Sequence, residues 1–190
     1  MDNQLLVDLV ELWRREEQRP FTGWDFSYLA DRMVQELPTW SYASRAAELM
    51  RQAGSVLELG TGGGERFLQL RGHWPSRVTV TEEYPPNVAL VRERLGSLGV
   101  RVVEVRLTDI DPLPFATDEF DVVLNRHSAF NSAEVARVLG PGGTFLTQRP
   151  CTSRACQRHQ PRPGGRRGSG WCAVGECAWR RDRLAGDDCR

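Results

Sequence analysis

The sequence predicts an α/β protein with a doubly wound, mostly parallel sheet. Short β-prone runs alternate with helical ones between Ser55 and Gln148, which is typical of a parallel sheet covered by helices. The first of these runs leads through a glycine-rich loop directly into a helix. With 190 residues and 40% apolar side chains, the chain can bury one sizeable core. We therefore expect one α/β domain preceded by a helical segment.

Residues 1–50 form the predicted N-terminal helical segment. The apolar side chains of a first helix would share one face, namely Leu5, Leu6, Leu9, Val10 and Trp13. Pro20 would end this helix. A second apolar series at helical spacing consists of Phe26, Leu29, Met33 and Leu37. A third helix is predicted to start at Ser41, because serine is a favourable N-cap residue.

The predicted core covers residues 51–148 and contains five strands and three helices. The strands are expected at 55–59, 77–81, 100–107, 120–125 and 143–148. The helices are expected at 65–73, 86–99 and 132–139. Pro86 suits the first turn of its helix, and Asn131 followed by Glu134 resembles a capping box. Local signals thus agree with the alternating pattern.

The glycine-rich loop is the segment that says most about function. It reads VLELGTGGGERF, so Gly60, Gly62 and Gly64 follow a strand that carries Glu58 near its end. Glycine can adopt a positive φ and lets the backbone come close to a ligand. A dinucleotide-binding loop needs a glycine at its sixth position, where this chain has Glu65, an acid that would repel a pyrophosphate. The spacing therefore favours a ligand made of adenosine and an amino acid over a nicotinamide cofactor.

An acid, one residue and then GxGxG is also the first motif of class I S-adenosylmethionine-dependent methyltransferases, which this chain resembles over residues 55–148. The resemblance implies a Rossmann-like methyltransferase core with S-adenosylmethionine as its cofactor. It also implies a set of cofactor-binding residues in and before the loop: Glu58, Gly60, Thr61, Gly62 and Gly64. Glu58 could instead only orient the backbone.

Two acids at strand ends match the other cofactor contacts of that family. An acid closing the second strand binds both ribose hydroxyls there, and Glu82 holds this place, with Glu83 as the alternative. A carboxylate suits this task because it accepts two hydrogen bonds at once from a vicinal diol. An acid after the third strand binds the adenine amino group, which TDIDPLPF places at Asp109, with Asp111 as the alternative. Each of these acids could also be a solvated loop residue.

The fourth strand ends in Asn125, Arg126 and His127, at the edge where open α/β sheets bind ligands. We expect Asn125 to contact the cofactor. Methyl transfer in this family is an in-line attack that depends mainly on positioning, so a general base is optional. His127 is the candidate catalytic residue, because an ordinary pKa of about 6.5 would let it take a proton from a hydroxyl or amine acceptor. A structural hydrogen-bonding role is its alternative.

The aromatic residues of the N-terminal segment are a further candidate feature, and they comprise Trp24, Phe26, Tyr28, Trp40 and Tyr42. In the family that the chain resembles, N-terminal helices often cover the substrate pocket. Packing between helices explains the same aromatic residues equally well.

The tail, residues 149–190, differs in composition from the rest of the chain. In residues 151–190 the arginines outnumber the acids by five, the reverse of residues 1–150, and all five cysteines lie there. It shows neither strand nor helix periodicity, so we predict that it is disordered. The spacings Cys151-x4-Cys156 and Cys172-x4-Cys177 frame no zinc motif, and no metal site is predicted. We interpret this composition as that of a GC-rich coding sequence read in a shifted frame.

The tail bears on the sheet, because the family completes its sheet with an antiparallel pair of strands after the fifth strand. We find no such pair in the sequence and expect it to be missing. The strand at 143–148 would then be an apolar edge with unpaired backbone groups. Weak solubility and weak turnover would follow.

The predicted function is S-adenosylmethionine-dependent methyl transfer to a small-molecule acceptor that the sequence does not identify. Nucleic acid is disfavoured as a partner because residues 1–150 are acidic. No apolar run is long enough to span a bilayer, and the N-terminus does not resemble a secretory peptide, so we predict a cytoplasmic protein without a membrane segment. Two alternatives stay open, an inactive or truncated S-adenosylmethionine-binding protein and, less favoured, an NAD(P)-dependent oxidoreductase.

Overall fold

The computed structural model describes residues 3–18, 40–149 and 175–180. Its elements in chain order are α1 Asn3–Glu17, α2 Tyr42–Arg51, β1 Ser55–Leu59, α3 Glu65–Leu68, a 3₁₀ turn Arg71–His73, β2 Arg77–Glu82, α4 Pro85–Gly96, β3 Arg101–Glu104, β4 Phe120–Arg126, α5 Ser132–Val138, β5 Leu139–Arg149 and β6 Gly175–Arg180. No helix in these ranges is both long and apolar enough to cross a membrane.

The sheet has six strands in the order β3-β2-β1-β4-β5-β6. The first five are parallel to their neighbours, and β6 is antiparallel to β5. The chain moves outward from β1 to β3 on one side and from β4 to β5 on the other, so the strand order reverses between β1 and β4. Open α/β sheets bind ligands at the carboxyl ends of the strands at such a reversal. The predicted doubly wound fold is confirmed.

Most predicted elements lie where the pattern placed them. The five predicted strands correspond to β1 to β5, and Ser41 caps α2 by accepting a hydrogen bond from the Ser44 N–H at 3.2 Å. The predicted helix at 65–73 is much shorter, because α3 ends at Leu68 and the chain tightens into the 3₁₀ turn. The helix predicted from Phe26 to Leu37 lies outside the described residues.

Apolar side chains cover both faces of the sheet. On one face, the inward side chains of β1, β2 and β4 pack against α2 and α4, with Met50, Phe67 and Leu95 almost fully buried. On the other face, Leu57, Leu59 and Val123 pack against α5 and the loop before β4. Burying one such side chain contributes about 1.5–3 kcal/mol, so the two clusters hold the strand ends in place.

The sixth strand corrects our expectation about the tail. We predicted that the antiparallel pair of strands would be missing and that β5 would be an unpaired edge. One antiparallel strand, Gly175–Arg180, pairs with β5 from Thr144 to Arg149, and a second one is not among the residues that the structure describes. A six-residue strand is too short to show a clear pattern within the tail's composition. Its position depends on the backbone groups that β5 offers, which sequence patterns do not reveal. Since β6 covers this edge, an unpaired β5 gives no reason to expect weak solubility.

Candidate cofactor-binding site

The glycine-rich loop lies between β1 and α3, at the point where the strand order reverses. Gly60, Gly62 and Gly64 have φ values of +66°, +63° and +81°, a left-handed region that favours glycine. A Cβ on Gly60 would overlap the side chain of Ser128, and a Cβ on Gly64 would come within 3.1 Å of the side chains of α4. The loop thus requires glycine for its own conformation and packing.

Hydrogen bonds from β2 hold the start of this loop. The Thr81 hydroxyl accepts a hydrogen bond from the Gly60 N–H at 3.0 Å, and the Thr81 carbonyl accepts one from the Thr61 N–H at 2.9 Å. The Thr81 side chain is fully buried. Thr81 is not among the residues predicted from the sequence, although a polar residue at a buried strand position beside the loop is a usable signal.

Arg94 of α4 holds the end of the loop. Its guanidinium donates a hydrogen bond to the Gly63 carbonyl at 2.6 Å and lies 3.2 Å from the Glu65 carboxylate. Glu65, the acid that argued against a dinucleotide, therefore has an ion-pair partner inside the protein. Nothing in the sequence pattern distinguished Arg94 from the other charged residues of its helix.

Glu82 closes β2 and faces the loop. Its side chain is 6% exposed, and its two carboxylate oxygens accept hydrogen bonds from the Gly62 N–H at 2.7 Å and the Tyr84 N–H at 3.0 Å. Each oxygen keeps acceptor capacity, since a carboxylate offers about four lone-pair positions. Glu83 is exposed and instead accepts a hydrogen bond from the Leu107 N–H at 3.2 Å. Of the two candidates, Glu82 is the acid that lies against the loop.

The acids after β3 lie in an exposed turn. The Thr108 hydroxyl accepts hydrogen bonds from the N–H groups of Ile110 at 3.3 Å and Asp111 at 2.8 Å, which orders this turn. Both Asp109 and Asp111 are exposed. The Asp109 carboxylate makes no hydrogen bond within the part of the chain that the structure describes. It is available to a ligand, but the structure shows no contact that links it to the loop.

Glu58 occupies the end of β1 in a setting that disfavours its charge. Its carboxylate accepts a hydrogen bond from the Thr61 hydroxyl at 3.0 Å. Removal from water raises the Glu58 pKa to about 8, and the Thr61 hydrogen bond and the nearby Arg126 charge only partly oppose this effect. The carboxyl group is therefore largely protonated at neutral pH unless a cation lies beside it.

Asn125, for which we expect a cofactor contact, forms the hydrogen bonds of a turn at the end of β4. Its side chain is fully buried, and its amide accepts a hydrogen bond from the Ser128 N–H and donates one to the Ser128 carbonyl, both at 3.0 Å. These bonds close a turn that places Ser128 against Gly60. The Asn125 side chain is thus enclosed by its own turn, which patterns of strands and loops do not reveal.

His127 lies in the turn that Asn125 closes. It has a φ of +71°, which is uncommon for a residue with a side chain, and its N–H donates a hydrogen bond to the Gln148 carbonyl at 2.9 Å. Partial burial, and then the positive charge of Arg126, lower the pKa of His127. The neutral imidazole, which can accept a proton, therefore predominates at neutral pH. Its catalytic role stays a prediction.

Arg126 and Tyr42 meet on the α2 side of the same sheet edge. The Arg126 guanidinium is half-buried, lies 5.9 Å from the centre of the Tyr42 ring, and donates a hydrogen bond from Nε to Gln148 at 2.9 Å. Burial, and then the charge of Arg66, lower the pKa of Arg126. The Tyr42 hydroxyl is buried, and burial and then the Glu58 charge raise its pKa, an effect that the Arg126 charge and the Asn125 backbone partly oppose.

Comparisons with known proteins agree with this geometry. The sequence model of the methyltransferase domain family matches residues 57–147. Over 114 residues the chain is 36% identical to a fatty-acid O-methyltransferase of Mycolicibacterium smegmatis, covering 55% of this chain and 40% of that protein. Over 101 residues it is 33% identical to a demethylmenaquinone methyltransferase of Thermus thermophilus, covering 48% and 44% of the two chains. The match thus spans less than half the length of each relative.

A solved structure shows the same fold. The geranyl diphosphate C-methyltransferase of Streptomyces coelicolor, solved with Mg²⁺, geranyl diphosphate and S-adenosylhomocysteine, superposes with a TM-score of 0.51 at 21% sequence identity. The superposition covers 63% of this chain and 49% of that one. At this identity, the similarity concerns the fold.

Proposed function

Because residues 57–147 match the methyltransferase domain family, we propose that this chain binds S-adenosylmethionine and transfers its methyl group to a small-molecule acceptor. S-adenosylmethionine is the cofactor of this family. The observation that supports the proposal most strongly is the Glu82 carboxylate, which is hydrogen-bonded to the Gly62 N–H where the strand order reverses. This hydrogen bond keeps the loop and the Glu82 carboxylate together at the sheet edge where an adenosine-containing ligand would bind.

The residues present fit this cofactor. Glu82 retains acceptor capacity on both oxygens, which suits the two ribose hydroxyls. The Asp109 carboxylate is exposed and would accept a hydrogen bond from the adenine amino group. Glu58, whose pKa is raised by burial, would stabilise the α-ammonium group of the cofactor. Between these acids, the backbone would curve around the cofactor through the loop residues Gly60, Thr61, Gly62 and Gly64.

The residues of the chain contribute chiefly by positioning. S-adenosylmethionine, when bound, supplies a methyl group on a positively charged sulfur. The Asn125 turn and the loop bonds to Thr81 would keep the binding surface preorganised, so that little order is lost when ligands bind. His127, largely neutral at neutral pH, would accept a proton on one of its ring nitrogens from an acceptor that is a hydroxyl or an amine.

Small acceptors are favoured over nucleic acid. Two relatives are a fatty-acid O-methyltransferase and a demethylmenaquinone methyltransferase, names that refer to small molecules. Residues 1–150 carry more acids than arginines, which disfavours a phosphate-rich partner. The sequence-based prediction of a cytoplasmic location stays part of this proposal.

A thermal-shift experiment tests the choice of cofactor. S-adenosylhomocysteine should raise the melting temperature of the purified protein, because ligand at 100 times its Kd stabilises the folded state by about 2.7 kcal/mol. NAD⁺ at the same concentration is the control and should leave the melting temperature unchanged. A shift with NAD⁺ alone would favour the oxidoreductase alternative and contradict the proposal.

A turnover assay tests the reaction itself. Mass spectrometry should detect S-adenosylhomocysteine formed from S-adenosylmethionine when fatty acids or reduced quinones are offered as acceptors. Binding without turnover for every acceptor would instead favour the alternative of an inactive cofactor-binding protein.

A further inference from the structure

The last turns of α4 lie against the end of the glycine-rich loop. Val91, Arg94 and Leu95 share one face of this helix, because residues three and four apart are neighbours on a helix surface. Val91 and Leu95 are fully buried, and a Cβ on Gly64 would come within 3.1 Å of both side chains. The Arg94 guanidinium donates a hydrogen bond to the Gly63 carbonyl at 2.6 Å. One helix face thus contacts two successive residues of the loop.

The Gly63 carbonyl depends on Arg94 for its hydrogen bond. Gly63 is buried, and within the residues that the structure describes its carbonyl accepts a hydrogen bond from Arg94 alone. The first backbone hydrogen bond of α3 runs from the Leu68 N–H to the Gly64 carbonyl at 2.9 Å, so this helix does not satisfy the Gly63 carbonyl. A buried carbonyl that loses its partner destabilises its own conformation. The Arg94 side chain therefore bears on the conformation of the loop.

The peptide between Gly63 and Gly64 has more than one accessible orientation. Glycine adopts positive and negative φ values about equally readily, and this peptide has a glycine on both sides. In the structure its carbonyl points to Arg94, and its N–H, on Gly64, donates a hydrogen bond to the Thr61 carbonyl at 3.2 Å. The carbonyl and the N–H of a planar trans peptide point in opposite directions, so the two bonds fix one peptide plane from both sides.

The orientation of this peptide matters for ligand binding. Gly62 and Gly64 are both predicted cofactor contacts, and the Gly62 N–H is hydrogen-bonded to Glu82 at 2.7 Å. Rotation of the peptide between Gly63 and Gly64 would exchange the places of a donor and an acceptor within the binding loop. A ligand that fits one orientation would therefore not fit the other.

We propose that Arg94 is a positioning residue for cofactor binding, which keeps the peptide between Gly63 and Gly64 in the orientation that accepts the S-adenosyl ligand. The inference rests on the proposed function, since that function assigns the loop to S-adenosylmethionine. Arg94 acts through the loop and without touching the ligand. The apparent Kd equals the intrinsic Kd divided by the fraction of protein with a competent loop, so the loss of Arg94 raises the Kd.

Glu65 is the second partner of Arg94 and separates two explanations of the contact. The carboxylate lies 3.2 Å from the same guanidinium nitrogen, and both side chains are about a third exposed. An ion pair at this exposure contributes little, whereas the shorter bond to Gly63 joins a charged donor to a buried carbonyl. Most of the effect of Arg94 should therefore pass through the Gly63 carbonyl.

Calorimetric titration with S-adenosylhomocysteine compares the wild type with four variants. Arg94→Gln removes the charge, and Arg94→Lys keeps a cation that can still donate to a carbonyl. Glu65→Gln removes the ion pair and leaves the bond to Gly63. Arg92→Gln is the matched control, because Arg92 lies on the same helix and pairs with Glu104 on an exposed surface.

We expect Arg94→Gln to weaken binding of S-adenosylhomocysteine by about 5- to 50-fold, and Glu65→Gln by less than about 3-fold. Arg94→Lys should recover part of the loss, and Arg92→Gln should bind like the wild type. In the turnover assay, Arg94→Gln should raise the KM for S-adenosylmethionine and leave kcat unchanged, because saturating cofactor restores the competent loop.

Hydrogen exchange followed by NMR tests the loop directly. The Gly64 N–H should be protected in the free wild type, exchange faster in free Arg94→Gln, and regain protection when that variant is saturated with S-adenosylhomocysteine. A purely structural role of Arg94 would instead reduce protection throughout α4 with and without ligand. An unprotected Gly64 N–H in the free wild type would overturn the inference even if Arg94→Gln does not fold.

Equal affinities of Arg94→Gln and the wild type would also overturn the inference while leaving the proposed function intact. A loss in Glu65→Gln as large as that in Arg94→Gln would assign the effect to the ion pair and contradict the role of the Gly63 carbonyl. A folded wild type that does not bind S-adenosylhomocysteine would overturn the proposed function itself. The failures are therefore distinguishable.

Discussion

The Glu82 carboxylate accepts a hydrogen bond from the Gly62 N–H at 2.7 Å, which joins the end of β2 to the loop that follows β1. Because Glu82 also accepts a hydrogen bond from the Tyr84 N–H, its carboxylate is fixed at both oxygens. The acid that would hold the ribose and the loop that would curve around the cofactor are thus positioned by each other. This coupling means that substitutions in the loop should affect the acid, and the reverse.

Glu58 should make the stability of the protein depend on pH. Its pKa rises from 4.5 in the unfolded chain to about 8 in the folded one, so folding keeps a proton that the unfolded chain releases. Its contribution to stability is full below about pH 4.5 and is lost as the pH rises to about 8. Glu58→Gln, which cannot ionise, should therefore be more stable than the wild type at pH 8.5, by an amount on the order of a few kcal/mol, and similar to it at pH 4.5.

Urea unfolding of both proteins at the two pH values measures this difference. Glu48→Gln, an exposed substitution on α2, controls for changes in net charge. If the difference in the free energy of unfolding between the wild type and Glu58→Gln does not change with pH, then Glu58 is not desolvated in the folded state.

Gly60 should tolerate no side chain. Gly60→Ala places a methyl group against Ser128 and forces alanine into a φ of +66°, so we expect a destabilisation of about 2–4 kcal/mol. Gly96→Ala is the control, because a Cβ there meets nothing within 4 Å, and it should leave stability unchanged or raise it by up to about 1 kcal/mol, since alanine favours the helix. Thermal unfolding of the two variants decides the matter, and equal melting temperatures would refute the packing between the loop and Ser128.

His127 should be under backbone strain that is separable from any catalytic role. Since glycine adopts a φ of +71° without steric cost, His127→Gly should be at least as stable as the wild type and about 1 kcal/mol more stable than His127→Ala. Denaturant midpoints test this order. If alanine proves as stable as glycine, the positive φ is not retained in solution. Methyl transfer to a hydroxyl acceptor should fall in both variants if the imidazole takes the proton.

Asn125 should act as a structural residue of the site. Asn125→Ala leaves the Ser128 N–H and carbonyl without their buried partners, and we expect a loss of about 1–3 kcal/mol of stability. Ser128→Gly keeps both backbone bonds and removes the side chain that faces Gly60, so it is the contrasting variant. A stable Asn125→Ala protein with reduced affinity for S-adenosylhomocysteine would instead restore the direct cofactor contact that the sequence suggested.

Much of the fold was predictable because its signals are local. The alternation of strands and helices placed β1 to β5, and Ser41 and Asn131 cap α2 and α5 as expected of their side chains. The capping box is only half formed, however. Glu134 makes no hydrogen bond to the Asn131 N–H. It pairs with Arg137 and accepts a hydrogen bond from the Leu113 N–H instead. The local sequence pattern does not reveal these two competing partners.

Site residues that lie at strand ends could be predicted from the sequence. Site residues that are positioned by contacts between distant elements could not. Glu82 follows directly from the end of a buried strand. Three contacts could not be read from the sequence because they depend on tertiary packing: the turn that Asn125 closes, the hydrogen bonds of Thr81, and the contact between Tyr42 and Arg126. Short edge strands such as β6 depend on a neighbour's backbone, so composition alone misled us about the tail.

Calorimetric titration with S-adenosylhomocysteine of the wild type, Glu82→Gln and Glu83→Gln tests the central claim most directly. The account predicts saturable binding to the wild type and to Glu83→Gln, because Glu83 faces the Leu107 N–H and not the loop. It predicts binding about 10- to 100-fold weaker for Glu82→Gln, which loses the charge that strengthens its hydrogen bonds. Circular dichroism should show that all three are folded. Equal affinities of Glu82→Gln and the wild type, or a folded wild type that does not bind, would contradict the cofactor site described here.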